Sequence, residues 1–100
     1  MDIASLLKLV GTPRDSAMLR LTLARLLAAQ ADLEQAESHL EAATTMDSSY
    51  TAAWKELGRV RQRNNDPDGA ARAWRRGIEV ARGKGDKQAE REMTVFLKRL

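Results

Sequence analysis

The chain has 100 residues, of which 43% are hydrophobic and 31% charged; this is typical of one globular domain and excludes an intrinsically disordered chain. It contains no cysteine, which excludes disulfides, thiolate catalysis and cysteine-ligated metal. Four basic and seven acidic side chains give residues 1–50 a charge of −3, whereas thirteen basic and seven acidic ones give residues 51–100 a charge of +6. The basic half favours an acidic partner, or attraction between the two halves or between neighbouring molecules.

The N-terminal residues 2–10 are predicted to form a short amphipathic helix. Asp2 is suited to cap it, and the apolar residues share one face at spacings of three and four: Ile3, Leu6, Leu7 and Val10. So short a helix is not stable alone in water, so we expect it to dock on the rest of the domain. The acidic start and Lys8 are unlike a secretory signal, and no segment approaches the roughly 20 apolar residues of a membrane span. A cytoplasmic protein is therefore expected.

Two longer helices are predicted to follow. Thr12 as a cap and Pro13 in the first helical position indicate a second helix over about residues 13–29. Asp32 is suited to cap a third helix over about residues 33–46.

The next predicted helix begins near residue 51, and its strongest feature is a regular face. Trp54, Leu57 and Arg61 recur at steps of three and four, and Gly58 leaves room beside Leu57 for the close approach of a neighbouring backbone. This helix is predicted to be one arm of a helix hairpin.

The other arm follows a short polar turn. Asp66 is suited to cap a helix that has Pro67 in its first position. Ala70 and Gly77 are small enough for the two helices to approach closely, and Trp74 would fill the space between them. The pattern predicts a compact helix–turn–helix unit.

These positions resemble the tetratricopeptide repeat (TPR), a helix–turn–helix unit of about 34 residues with the pattern W-x2-L-G-x2-Y…A-x3-F. The matching residues are Trp54, Leu57, Gly58, Ala70 and Trp74. Arg61 stands where an aromatic residue is usual, and we expect its aliphatic stem to substitute for the ring. Arg82 stands where a closing proline is usual, which indicates that the second arm runs on.

The resemblance extends over most of the chain. It implies a degenerate first repeat over 17–50, in which the tryptophan does not recur, and a second repeat over 51–84. Gly85 and Asp86 are predicted to end that repeat and to cap a final helix. The expected fold is all-α: one domain over 1–100, a right-handed α-α superhelix of about two TPR hairpins. An N-terminal helix and turn (1–12) and a capping helix (86–100) would flank it, as in small bacterial TPR proteins.

In this family the first helix of each repeat lines a concave groove. The expected lining residues are Met18, Leu21, Arg25, Ala28 and Ala29 from repeat one, Ala52, Lys55, Arg59, Gln62 and Arg63 from repeat two, and Gln88, Arg91, Val95, Lys98 and Arg99 from the last helix. The hypothesis is a protein–protein interaction module or adaptor, whose groove binds another protein's segment with acidic side chains or a free C-terminal carboxylate. The candidate binding residues are Arg25, Lys55, Arg59, Gln62, Arg63, Arg91 and Lys98. The alternative is a solvated basic face with no ligand.

The family's carboxylate clamp, a lysine and asparagines at set positions, is not matched, because Leu21, Arg25 and Glu56 stand there. Nor does any catalytic constellation stand out. His39 is the only histidine and lacks a second histidine or cysteine to complete a site, and the glutamates of the third helix favour a solvated face over a metal site. The protein is therefore expected to be neither an enzyme nor dependent on a cofactor.

The sequence also bears on two other kinds of partner, nucleic acid and a second copy of the chain. Nucleic acid is not favoured, because acidic residues interrupt the basic half and the aromatic residues are expected to be buried. Self-association between the acidic third helix and the basic helix over 70–82 would give a weak homodimer. Pairing of Glu37 or Glu41 with Arg72, Arg75 or Arg76 within a monomer is the simpler expectation.

Overall fold

The computed structural model describes residues 2–100, and within that range it contains helices and no strand. The helices are α1 (Ile3–Leu7), α2 (Ala17–Ala29), α3 (Leu33–Met46), α4 (Thr51–Arg63), α5 (Pro67–Lys84) and α6 (Lys87–Lys98). Packing is most extensive between α4 and α5 and between α2 and α3, so these pairs form two helix hairpins. Helix α6 packs on α5, and α1 packs on α2. The expected all-α helical repeat is confirmed.

The predicted helix starts at residues 32, 66 and 86 are confirmed. In each case an aspartate side chain accepts a hydrogen bond from the backbone N–H three residues on, as an N-cap does: Asp32 from Gln35, Asp66 from Gly69 and Asp86 from Ala89. Pro67 occupies the first turn of α5, where its missing N–H is no loss. Helix α5 runs through Arg82, as expected without the closing proline, and ends at Gly85 with a left-handed φ of 71°.

The first helices are shorter than predicted. Helix α1 ends at Leu7, and α2 begins at Ala17, four residues later than the Thr12–Pro13 signal indicated. Thr12 instead stabilises a turn, since its hydroxyl donates to the Leu9 carbonyl oxygen at 2.6 Å. The cap of α2 is Ser16, whose extended backbone lets its hydroxyl accept from the Leu19 N–H at 3.0 Å.

Trp74 is the centre of the second hairpin. Its side chain is 1% exposed, and its indole N–H donates to the carbonyl oxygen of Lys55 at 3.1 Å. A Cβ atom at Gly58 would overlap the indole ring, so the glycine admits a side chain rather than the neighbouring backbone that we expected. The glycine at position 58 is thus explained by the packing of one ring.

Trp54 has a different role from Trp74. It is only partly buried, and its indole N–H donates to the carbonyl oxygen of Ser48 at 2.9 Å. That bond ties the α3–α4 connection to α4. The expectation that both tryptophans and Phe96 are buried therefore holds for Trp74 alone, because Phe96 is also partly exposed.

The last helix closes the second hairpin. Met93 of α6 is fully buried and lies directly against Gly77 of α5. The ring centroids of Trp74 and Phe96 are 5.3 Å apart, with the planes tilted by 44°. Helix α6 therefore covers the apolar face that α5 would otherwise expose.

Arg61 joins three helices. Its guanidinium is paired with Glu37 at 3.2 Å and with Glu41 at 3.3 Å, both on α3, and donates to the carbonyl oxygen of Gly69 on α5 at 3.2 Å. The expected pairing of these glutamates with the arginines of α5 is wrong, because both glutamates pair with Arg61 of α4. A charged residue at the family's aromatic position thus links the hairpins through its guanidinium group and not only through its aliphatic stem.

Candidate functional site

The first helix of each hairpin and the capping helix form one face of the molecule, which we call the α2–α4–α6 face. Helices α2 and α4 are in contact, and two side-chain contacts join α4 to α6. The Lys55 ammonium lies 3.6 Å from the Glu92 carboxylate, and the Arg59 guanidinium stacks 4.9 Å from the centre of the Phe96 ring. Helices α3 and α5 form the outer layer.

The candidate binding residues are not equally available on this face. Arg25, Arg59, Gln62, Arg63, Arg91 and Lys98 are exposed. Within residues 2–100, Arg25, Arg63, Arg91 and Lys98 form no ion pair, so their charges are uncompensated.

Lys55 and Arg59 are brought together by the fold, but each already has a partner. The Lys55 side chain is 23% exposed and is neutralised by Glu92. Arg59 is 49% exposed and lies 3.8 Å from Glu56, one turn earlier on the same helix. Arg59 can exchange this loose surface pair for a ligand at small cost, because exposed pairs contribute little. Lys55 is less free to do so.

Some expected lining residues are not on the surface. Leu21 and Ala28 are 2% and 8% exposed, and they belong to the same buried cluster as Leu57 and Val60 of α4. The family register placed them in the groove, but here they hold α2 against α4. Met18 of α2 and Val95 of α6 remain exposed, at 67% and 41%.

Two clefts open on the described part of the chain. One, of about 240 Å³, lies between the N-terminal ends of α4 and α6 and is lined by Thr51, Ala52, Lys55, Asp86, Gln88, Ala89 and Glu92. The other, of about 600 Å³, lies between α1 and the end of α2 and is lined by Asp2, Ile3, Ala4, Leu7, Leu26, Ala29 and Gln30. Sequence reasoning missed the second cleft, because no pattern in the sequence shows where so short a helix docks.

The only histidine belongs to a structural network. Asp15 binds Arg20 at 2.9 Å and accepts the Gly11 N–H at 2.9 Å, and these bonds lower the pKa of the Asp15 carboxyl. Arg20 lies 3.3 Å from Nδ1 of His39. Burial, and secondarily the Arg20 charge, lower the pKa of His39. Neutral His39 accepts from Arg20, so the network ties the α1–α2 loop to α2 and α3.

Within residues 2–100, no group of three histidine, aspartate or glutamate side chains is placed to hold a metal ion. None of the helices in this part of the chain is long and apolar enough to cross a membrane.

The fold and this face define a helical repeat module. No protein-family model matches the chain. However, it is 43% identical to a TPR repeat-containing protein of Pseudomonas aeruginosa over 100 residues, which cover all of this chain and 95% of that protein. The chain therefore belongs to the TPR family, a family of protein–protein interaction modules.

Solved structures agree with this assignment. A protein from Bordetella parapertussis, solved in solution, is 35% identical and superposes with a TM-score of 0.83, covering 99% of this chain and 86% of its own. The Sgt2 TPR domain from Aspergillus fumigatus is 30% identical with a TM-score of 0.80, covering 97% of this chain and 64% of that one.

Proposed function

We propose that the protein binds a segment of another protein along the α2–α4–α6 face, and that acidic groups of this segment pair with the exposed basic side chains. The observation that carries the proposal is the set of uncompensated charges at Arg25, Arg63, Arg91 and Lys98. Arginine is well suited to bidentate pairing with carboxylates.

The exposed positive charges favour a ligand that lies on the surface over a ligand that is buried in a pocket. Arg59 adds a fifth positive charge, and its guanidinium stacks on the Phe96 ring. Gln62 is exposed one turn from Arg59 and can bond a backbone group of the segment. Because these charges lie in water, we expect the association to be fast and to weaken as salt is added.

The test is capture of partners by the purified protein from a lysate, with and without nuclease treatment. Two double variants are compared: Arg59→Glu/Arg63→Glu on the proposed face, and Arg72→Glu/Arg75→Glu on α5. Each variant replaces two arginines by glutamates, so the two variants change the net charge equally. All four arginines are exposed, so neither variant disturbs the core.

We expect that at least one protein is captured by the wild type and by the α5 variant but not by the Arg59/Arg63 variant. Equal loss with both variants would show that only net charge matters. Equal retention by both would place the binding surface elsewhere. Signal that disappears on nuclease treatment would favour nucleic acid as the partner.

A further inference from the structure

The cleft between α1 and α2 is an open concavity with mostly apolar walls, and no side chain of the fold fills it. Its walls are the apolar side chains of Ile3, Ala4, Leu7, Leu26 and Ala29, with Asp2 and Gln30 at the two ends of the lining segments, around a volume of about 600 Å³. The Asp2 carboxylate disfavours an acidic group inside the cleft itself, so an acidic side chain of a ligand has to lie outside it. A space of this size is large enough to admit an apolar side chain of a partner.

The cleft arises because α1 buries only part of its apolar face. Leu6 is 9% exposed and packs in a cluster with Leu19 and Leu23, whereas the adjacent Leu7 remains 38% exposed. Covering an open apolar wall with another apolar group removes both surfaces from water and is favourable. The chain thus presents an apolar docking point beside a charged surface.

Ala29 connects this cleft with the α2–α4–α6 face. It is exposed on the last turn of α2, and Arg25 lies one turn earlier on the same side of the helix. Four helical residues span about 6 Å. In an extended peptide, side chains two positions apart point to the same side and are separated by about 6.6 Å.

We infer that the partner segment is extended and carries a bulky apolar residue two positions from an acidic one. The apolar side chain enters the α1–α2 cleft, and the acidic side chain pairs with Arg25. Charge complementarity selects this occupant, because Arg25 is exposed and forms no ion pair within residues 2–100. The inference rests on the proposed function, since the rest of the segment continues along the same face.

The test uses three labelled synthetic peptides on an otherwise acidic, serine-rich background. One has leucine two positions from glutamate, the second has the same composition with leucine adjacent to that glutamate, and the third has serine in place of leucine. Binding is measured by fluorescence anisotropy and located by amide chemical shifts of the full chain. We expect the first peptide to bind about ten- to a hundredfold more tightly than the third, the gain for burying one leucine. The second peptide should bind more weakly than the first.

Matched variants of the protein locate the effect. Ala29→Phe fills the cleft and should abolish the preference for leucine, whereas Ser38→Phe places the same ring on the exposed surface of α3 and should preserve it. Leu7→Ser removes an exposed wall of the cleft and serves as an independent variant if Ala29→Phe does not fold. Wild-type amides of residues 3–7 and 26–30 should shift with the first peptide only.

Each other outcome overturns the inference in a recognisable way. Equal binding of the leucine and serine peptides, both weakened by Arg59→Glu/Arg63→Glu, would overturn it and leave the proposed function standing. A leucine preference that survives both cleft variants would place the anchor elsewhere. Shifts of the cleft amides with rising protein concentration alone would make a second copy the occupant. No binding by any peptide would overturn the inference, whereas the proposed function is decided separately by the capture experiment with the Arg59→Glu/Arg63→Glu variant.

Discussion

Trp74 of α5 is the largest fully buried side chain in the described residues, and it contacts both α4 and α6. It is 1% exposed, rests on Gly58 and lies 5.3 Å from the Phe96 ring. Trp74→Ala should lower the free energy of unfolding by about 3–5 kcal/mol, measured by urea denaturation. Trp74→Phe, which restores the residue usual in the family, should cost less. A loss below about 1 kcal/mol for the alanine variant would contradict the packing described here.

Arg61 shows what a polar residue does at a family core position. The Arg61 and Glu37 side chains are 15% and 24% exposed, so their ion pair is shielded from water more than a surface pair is. A double-mutant cycle with Arg61→Met and Glu37→Gln should give a coupling free energy of about 1 kcal/mol. The matched cycle on Arg76 and Glu79, which are 52% and 65% exposed, should give less. Equal coupling in the two cycles would show that Arg61 acts only through its aliphatic stem.

The anchoring of the α1–α2 loop to α2 and α3 depends on the protonation state of His39, because Arg20 links this histidine to Asp15. Its pKa is lowered in the folded protein, so the unfolded chain takes up this proton first as the pH falls below about 6.5. Stability from neutral His39 is therefore fully present above about pH 6.5 and is lost as the pH falls through the lower folded pKa. Asp15, whose pKa is also lowered, follows the same sign in a more acidic range.

The measurement is the Tm of wild type and His39→Gln at about pH 7.5 and about pH 5.5, either side of the usual histidine pKa. Wild type should lose more Tm between these values than the variant, because glutamine cannot be charged beside Arg20. An Asn64→Gln variant, exposed at the end of α4, serves as the control. Identical losses in wild type and His39→Gln would exclude the histidine as the cause.

The sequence was sufficient to predict elements whose boundaries depend on neighbouring residues. Asp32, Asp66 and Asp86 cap their helices through bonds to an amide three residues on, and Gly85 ends α5 through its own backbone. The start of α2 was missed because the Thr12 hydroxyl donates back to the Leu9 carbonyl oxygen and forms a turn, so that Ser16 caps the helix instead. The partners of Arg61 were missed because they depend on how α3 and α4 pack, which local patterns do not contain.

For the whole molecule, pairing of opposite charges within the chain favours a monomer. The acidic α3 is joined to α4 by Arg61, and α5 is joined to α6 by Arg82 and Glu90 at 2.7 Å. We therefore expect a mass near 11.1 kDa in light scattering over a wide range of dilution. A mass that rises with concentration and falls with added salt would instead indicate association through these charges.

Under the proposed function, a partner binds the α2–α4–α6 face. The chemical-shift footprint of the captured partner on the isotopically labelled protein tests this. We expect the largest shifts around Arg25, Arg59, Arg63 and Arg91, with little change on the outer faces of α3 and α5. A footprint centred on α3 or α5 would contradict the claim and assign the partner to the outer layer.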